Sequence, residues 1–193
     1  MVLRHFTRCC VSTLSTLLFT LCGIHAAQAD TSGQPPARRW TVGVQTDVLS
    51  YIIGGWHASM FGAYDNVRVR GVISQSFVPE FLRDDLVTEQ QISAVACSVD
   101  FLFGPRFDGW WLGFGYEQWT TTYSTATSSG EGRSHLLIVG GGFVQRFWKG
   151  FFVEPSAAAH ISIAGPAEVQ VGSATIFTDG VSPEISLKVG WMF

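Results

Sequence analysis

The stretch SPEISLKVGWMF, residues 182–193, alternates between two kinds of side chain. The odd positions from Ile185 to Phe193 are all apolar, whereas the even positions between them are polar, small or, at the last one, Met192. Successive side chains of a β-strand point to opposite faces, so this pattern predicts a strand with one wholly apolar face. Such a face needs a cover, which is either a second layer of protein or the hydrocarbon of a membrane.

The same alternation recurs upstream and predicts eight strands in all. The predicted strands are residues 40–49, 55–64, 67–77, 91–103, 110–123, 134–148, 151–163 and 182–193. Short turns are predicted at Asp65-Asn66, 104–109 and Lys149-Gly150, and long loops at 78–90, 124–133 and 164–181. An even strand number with short turns on one side and long loops on the other is typical of outer-membrane barrels. The predicted fold is all-β, an eight-stranded antiparallel up-and-down transmembrane β-barrel.

A soluble periplasmic sandwich or a lipocalin-like barrel is the competing interpretation, because either would turn the same apolar faces inward. Aromatic residues near the strand ends favour the membrane, where such residues form girdles at the two interfaces. These aromatic residues are Trp40, Tyr64, Trp110, Trp111, Trp148 and Phe151.

The first 29 residues have the features of a secretory signal peptide. Arg4 and Arg8 precede the apolar stretch 11–24, which is too short to span a bilayer, and Ala27-Gln28-Ala29 is a small-x-small cleavage pattern. We expect cleavage after Ala29, a short N-terminal segment at 30–39 and the barrel at 40–193. The predicted location is the outer membrane of a Gram-negative bacterium.

The composition argues against several kinds of partner and cofactor. The formal net charge is −3 and the chain has no basic run, so nucleic acid is not an expected partner. Of the four cysteines, only Cys97 lies beyond the predicted signal peptide, which excludes an internal disulfide in the exported chain. No zinc, phosphate-loop or G-x-S-x-G motif is present, and we predict neither a metal nor a cofactor.

The final strand, with Trp191 and Phe193, resembles the C-terminal signal by which Gram-negative outer-membrane proteins are recognised for assembly. The whole exported chain resembles the small eight-stranded barrels of the OmpA-transmembrane and OmpX type. The segments GGWHAS (54–59), VRVRGV (67–72) and GWWLGFGYEQW (109–119) look like an uncharacterised group of exported bacterial barrels. The resemblance implies a monomer whose partners are outer-membrane lipid, lipopolysaccharide and the outer-membrane assembly machinery.

With lipid outside, the polar faces of the strands point into the barrel. Near the periplasmic end they carry a predicted ion-pair cluster that comprises Arg68, Arg70, Asp100, Glu154 and Lys188. Buried charges are tolerated only when paired, so the cluster predicts a filled polar interior and no open pore. The protein would then act structurally or by binding through the long loops, especially 78–90 and 124–133.

Two other functions remain open at this point. His57 and Ser59 share a strand face, and with Asp47 or Glu117 to orient the imidazole they resemble the parts of an acyl hydrolase acting on lipid or lipopolysaccharide. Lipid A deacylases of the PagL kind use a His-x-Ser pair, although Met60 stands where that family has Asn. A glutamate of that family is also missing in the region of Gly71. The third possibility is a conduit for a small or hydrophobic ligand through the barrel.

Overall fold

The computed structural model describes residues 40–83, 86–104, 107–177 and 180–193. The predicted signal peptide and the segment 30–39 lie outside the described residues and stay predictions. Within the described part of the chain, no helix is long and apolar enough to cross a membrane.

Eight antiparallel strands close into a barrel, and each barrel strand pairs with the barrel strands before and after it in the chain. A small separate hairpin is inserted before the last barrel strand. The barrel strands are β1 Trp40–Asp47, β2 Trp56–Tyr64, β3 Val67–Phe77, β4 Glu89–Leu102, β5 Gly109–Ser124, β6 Ser129–Arg146, β7 Phe151–Ala164 and β10 Val181–Met192. The inserted hairpin is β8 Glu168–Val171 with β9 Ala174–Phe177, and β1 closes the barrel on β10. The predicted fold class is confirmed.

The strands are staggered around the barrel. The stagger appears when one follows the paired residues from strand to strand. Starting at Gln45 of β1, the successive partners in β2, β3, β4, β5 and β6 end at Ser162 of β7. The backbone N–H of Ser162 donates to Gly180 O at 2.8 Å, at the start of β10, whereas Gln45 itself pairs with Gly190 near the end of β10. This stagger tilts the strands, and a barrel of eight tilted strands has an interior little wider than its own side chains.

The two faces of each strand differ as predicted, because side chains alternate between the outside and the interior. Val42 and Val44 of β1 and Met60 of β2 are exposed on the outside, whereas Arg68 of β3 and Glu154 of β7 are fully buried. One prediction is wrong. Trp111 does not belong to an outer aromatic girdle, because it follows the exposed Trp110 in the same strand and therefore points inward, where it is 4% exposed.

An apolar layer lies inside the barrel at the end that has the short turns, hereafter the short-turn end. Its members are Phe61, Ala63, Leu102, Phe107, Trp111, Val144, Phe152 and Met192. Two glycines make room for its aromatic rings: a Cβ at Gly43 would lie 2.3 Å from the ring of Phe61, and one at Gly190 would lie 2.4 Å from the ring of Phe152. The turn at Asp65 has a positive φ of 55°, as its residue type permits.

The opposite end, hereafter the long-loop end, departs from the predicted boundaries. The first strand stops at Asp47, two residues early, and a one-turn helix α1, Val48–Ile52, follows it. The segment 78–90 contains a 3-10 turn at Glu80–Leu82, in keeping with its predicted loop character.

The predicted loop 124–133 is largely strand, because β5 and β6 continue well beyond the other strands. Their extension is covered by the β8–β9 hairpin, and the contact forms a second apolar core. This core consists of Val87, Tyr123, Val169, Val171 and Ile176. Gly130 and Gly132 allow the close approach, since a Cβ at either position would lie within 3 Å of the side chain of Val171 or Val169. The two glycines of the segment therefore serve packing.

Candidate functional site: the charged interior

Two arginines of β3 form the centre of a buried ion cluster. Arg68 and Arg70 are two residues apart, so both point inward, and Asp100 lies beside them on β4. Glu154 reaches them from β7, which is not a neighbour of β3 in the barrel. The cluster therefore spans the interior instead of following one strand pair.

The contacts of the cluster are short and partly bidentate. Arg68 Nε lies 2.7 Å from Asp100 Oδ2, while its Nη1 and Nη2 donate to the two oxygens of Glu154 at 2.7 and 3.1 Å. Arg70 Nη2 donates to Asp100 Oδ1 at 2.9 Å, and its Nη1 donates to Glu154 Oε1 at 3.1 Å. A planar guanidinium matches two carboxylate oxygens at once, which explains why arginine suits this position better than lysine.

The cluster combines two positive and two negative side chains, all of them buried. Asp100 and Glu154 have no exposed surface, and Arg68 is 1% exposed. The guanidinium carbon of Arg68 lies 5.4 Å from the ring centroid of Trp111, and that of Arg70 lies 4.8 Å from it. The apolar layer at the short-turn end thus lies directly against the charges and contributes cation–π contacts.

A second polar network lies nearer the long-loop end. His160 of β7 bridges two carboxylates, with Nδ1 at 2.7 Å from Glu117 Oε2 and Nε2 at 2.9 Å from Glu184 Oε2. Ser186 extends the network, because its hydroxyl lies 2.6 Å from Glu184 Oε1 and 3.0 Å from Asp47 Oδ2. Three strands, β5, β7 and β10, are joined through the one imidazole.

Lys188 lies between the two groups. Its Nζ donates to Ser156 Oγ at 3.0 Å and is 3.8 Å from Glu184 Oε1. The sequence predicts Lys188 in one cluster with the arginines. In the structure its hydrogen-bond partner is Ser156 of β7, and its nearest carboxylate, Glu184, belongs to the His160 network.

The four residues of the hydrolase hypothesis are all buried, but their contacts are not those of a catalytic triad. His57 Nδ1 accepts the backbone N–H of Asp47 at 3.2 Å, and Ser59 Oγ donates to Gln45 O at 3.4 Å. Glu117 is bound to His160 instead of to His57. Among the described residues no hydrogen bond joins His57 to Ser59, so the serine is not placed against a base that would activate it.

The carboxylate of Asp47 makes hydrogen bonds that the sequence does not predict. Its carboxylate caps α1 by accepting the N–H of Leu49 at 3.0 Å, and it also accepts the N–H of Leu187 on β10 at 3.1 Å. An aspartate just before a helix is a recognisable capping signal, but α1 is too short to show a helical period. The bond from Leu187 depends on the stagger of the barrel, and no local sequence pattern indicates it.

The part of the chain that the structure describes contains no group of three or more His, Cys, Asp and Glu side chains placed to hold a metal ion.

Comparison with solved structures gives the same fold. The N-terminal β-barrel domain of Pseudomonas aeruginosa OprF superposes with a TM-score of 0.53 at 14% identity, over 81% of this chain and 99% of that chain. Neisserial surface protein A (NspA) superposes with a TM-score of 0.52, also at 14% identity, over 80% of this chain and 95% of that chain. No protein-family model and no curated protein matches the sequence. The chain therefore has the fold of the small outer-membrane β-barrels.

Replacing Arg68 by Met tests the buried ion cluster. The change leaves Asp100 and Glu154 without one of their two arginines, and we expect a loss of about 3–5 kcal/mol in the free energy of unfolding. Urea unfolding of the protein in phospholipid vesicles would measure it. Arg133→Met, which removes an exposed arginine of β6, is the matched control and should change stability by less than about 1 kcal/mol. Equal effects of the two substitutions would contradict the assignment.

Substitutions of His57 separate a structural from a catalytic role. His57→Ala removes the acceptor for the N–H of Asp47 and should lower stability by about 1–3 kcal/mol. His57→Asn offers an acceptor of similar reach and should restore most of the loss. The acyl composition of lipid A, measured by mass spectrometry in cells producing each form, should stay the same in all three. A change in lipid A that follows the imidazole would instead support the hydrolase.

Proposed function

We propose that this protein is an outer-membrane barrel with a filled polar interior, acting structurally or through its loops and not as an open pore. The observation that carries the proposal is the cluster of Arg68 and Arg70 with Asp100 and Glu154, because it connects β3 and β4 to β7 across the interior. Pairing makes the four charges compatible with burial, and their side chains occupy the space through which ions would pass.

The proposed location rests on the outer surface. Large apolar side chains are exposed on every barrel strand, and aromatic residues such as Trp40, Trp110 and Trp148 lie exposed near the short-turn end. Water is a poor solvent for such a continuous apolar surface, whereas a bilayer covers it. Lipid and lipopolysaccharide are thus the proposed neighbours of a monomeric barrel. Trp191 and Phe193 remain the predicted signal for the assembly machinery.

The long-loop end offers the surface for a binding role. The β5–β6 extension and the β8–β9 hairpin are held by their own apolar core, so they present an ordered surface. The segment before β4 adds exposed apolar side chains, of which Phe81 is 80% exposed. Ordered loops on a rigid barrel are a common arrangement for recognition.

Conductance in a planar bilayer tests the filled interior. Reconstituted protein should give no steady ionic current above that of a protein-free detergent control, because paired side chains block the path. The heat-dependent gel shift of the same sample establishes that the barrel is folded. Stable channel openings from a folded sample would contradict the proposal and favour the conduit.

A further inference from the structure

The barrel wall has a gap in its strand pairing. Pairing between β1 and β2 stops at Gln45 and Ser59, and pairing between β1 and β10 stops at Asp47 and Lys188. Beyond these points β2 pairs only with β3, and β10 from Leu187 back to Val181 pairs only with β7, within the described residues. The short helix α1 lies against both β2 and β10 at this place. The wall of the long-loop half is thus completed by a helix instead of a strand.

Side chains satisfy three of the backbone groups beside the gap. The N–H of Leu187 donates to the carboxylate of Asp47, and the N–H of Asp47 donates to the imidazole of His57. Thr46 Oγ1 donates to the carbonyl of His57 at 2.5 Å. These bonds meet the requirement that backbone groups facing hydrocarbon have partners inside the protein.

A proline fits the same edge. The nitrogens of alternate residues of β10 point to the same side, so Pro183 directs its nitrogen to the side where Leu187 meets Asp47. A proline is tolerated in a strand at an unpaired edge, where no N–H is needed. The gap is therefore built into the sequence and is not an irregularity of one loop.

A hollow of about 800 Å³ opens on the outer face beside the gap. Exposed apolar side chains of Val44, Met60 and Ile73 line it, with Tyr51 of α1 above them. Gly71 also lines it, and a Cβ built there would meet no atom within 4 Å, so a larger side chain would project into the hollow.

We propose that this hollow binds one acyl chain of a membrane lipid. The inference rests on the proposed function, because the hollow faces hydrocarbon only if the outer surface lies in a membrane. A saturated chain matches the apolar lining. In hydrocarbon the gain comes from van der Waals fit, and a concave wall contacts more of a chain than a convex one does. The capped gap holds that wall in shape.

Photolabelling in vesicles tests the proposal with a phosphatidylcholine that carries a diazirine in the middle of one acyl chain. Labelled peptides should concentrate on residues 58–60 and 71–73. Gly71→Leu places a branched side chain in the hollow and should reduce this labelling at least threefold. Gly62→Leu is the matched control: it also faces outward, its Cβ would meet no atom within 4 Å, and it does not line the hollow. It should leave the labelling unchanged.

Folding of each variant is checked by its heat-dependent gel shift, and Ala58→Leu, which also narrows the hollow, replaces Gly71→Leu if the latter does not fold. Labelling that is spread evenly around the barrel and is insensitive to either substitution would overturn the acyl-chain site while leaving the membrane barrel intact. Wild-type protein that neither folds into vesicles nor takes up label would overturn the proposed function as well, and with it this inference.

Discussion

Closing only eight strands is the constraint on which the rest of the structure depends. The interior of such a barrel is narrow, so an inward side chain can reach partners across the barrel as well as on the adjacent strands. Arg68 of β3 illustrates this. It binds Asp100 on the adjacent strand β4 and Glu154 on β7, which is four strands away from β3 in the barrel. In the closed barrel the charged side chains of the ion cluster point inward, and large apolar side chains of the strands point outward.

The strand pairing of the barrel is interrupted at one place, the end of β1. The residues there include His57 and Asp47, which in the sequence resemble parts of a catalytic site. Where β1 ends early, Asp47 and His57 take over backbone hydrogen bonds that a strand would otherwise make. The cost of open backbone groups in hydrocarbon thus accounts for the histidine and the aspartate at this place. Their hydrogen bonds are to groups of the barrel wall.

Much of this could be predicted from the sequence, because the faces of a strand follow from its two-residue period. That period correctly indicated eight strands and the inward direction of Arg68, Arg70, Asp100 and Glu154. Relations across the barrel could not be predicted in the same way. The nearest carboxylate of Lys188 and the pairing of Glu117 with His160 depend on the stagger of the strands, which no local pattern specifies. The composition predicts a loop where the structure has the β5–β6 extension, because the hairpin that covers the extension, at residues 168–177, is distant in the chain.

The most direct test of the central assignment, apolar face to lipid and polar face to the interior, uses the exposed Cys97 on the outside of β4. A nitroxide attached there, in vesicles and with Cys9, Cys10 and Cys22 replaced by Ser, reports whether lipid or water surrounds it. The account predicts frequent collisions with oxygen and few with a water-soluble nickel complex. A label moved to position 133 on the β5–β6 extension, by Arg133→Cys with Cys97→Ser, should show the reverse. High nickel accessibility at Cys97 would contradict the account, because the apolar face would then meet water.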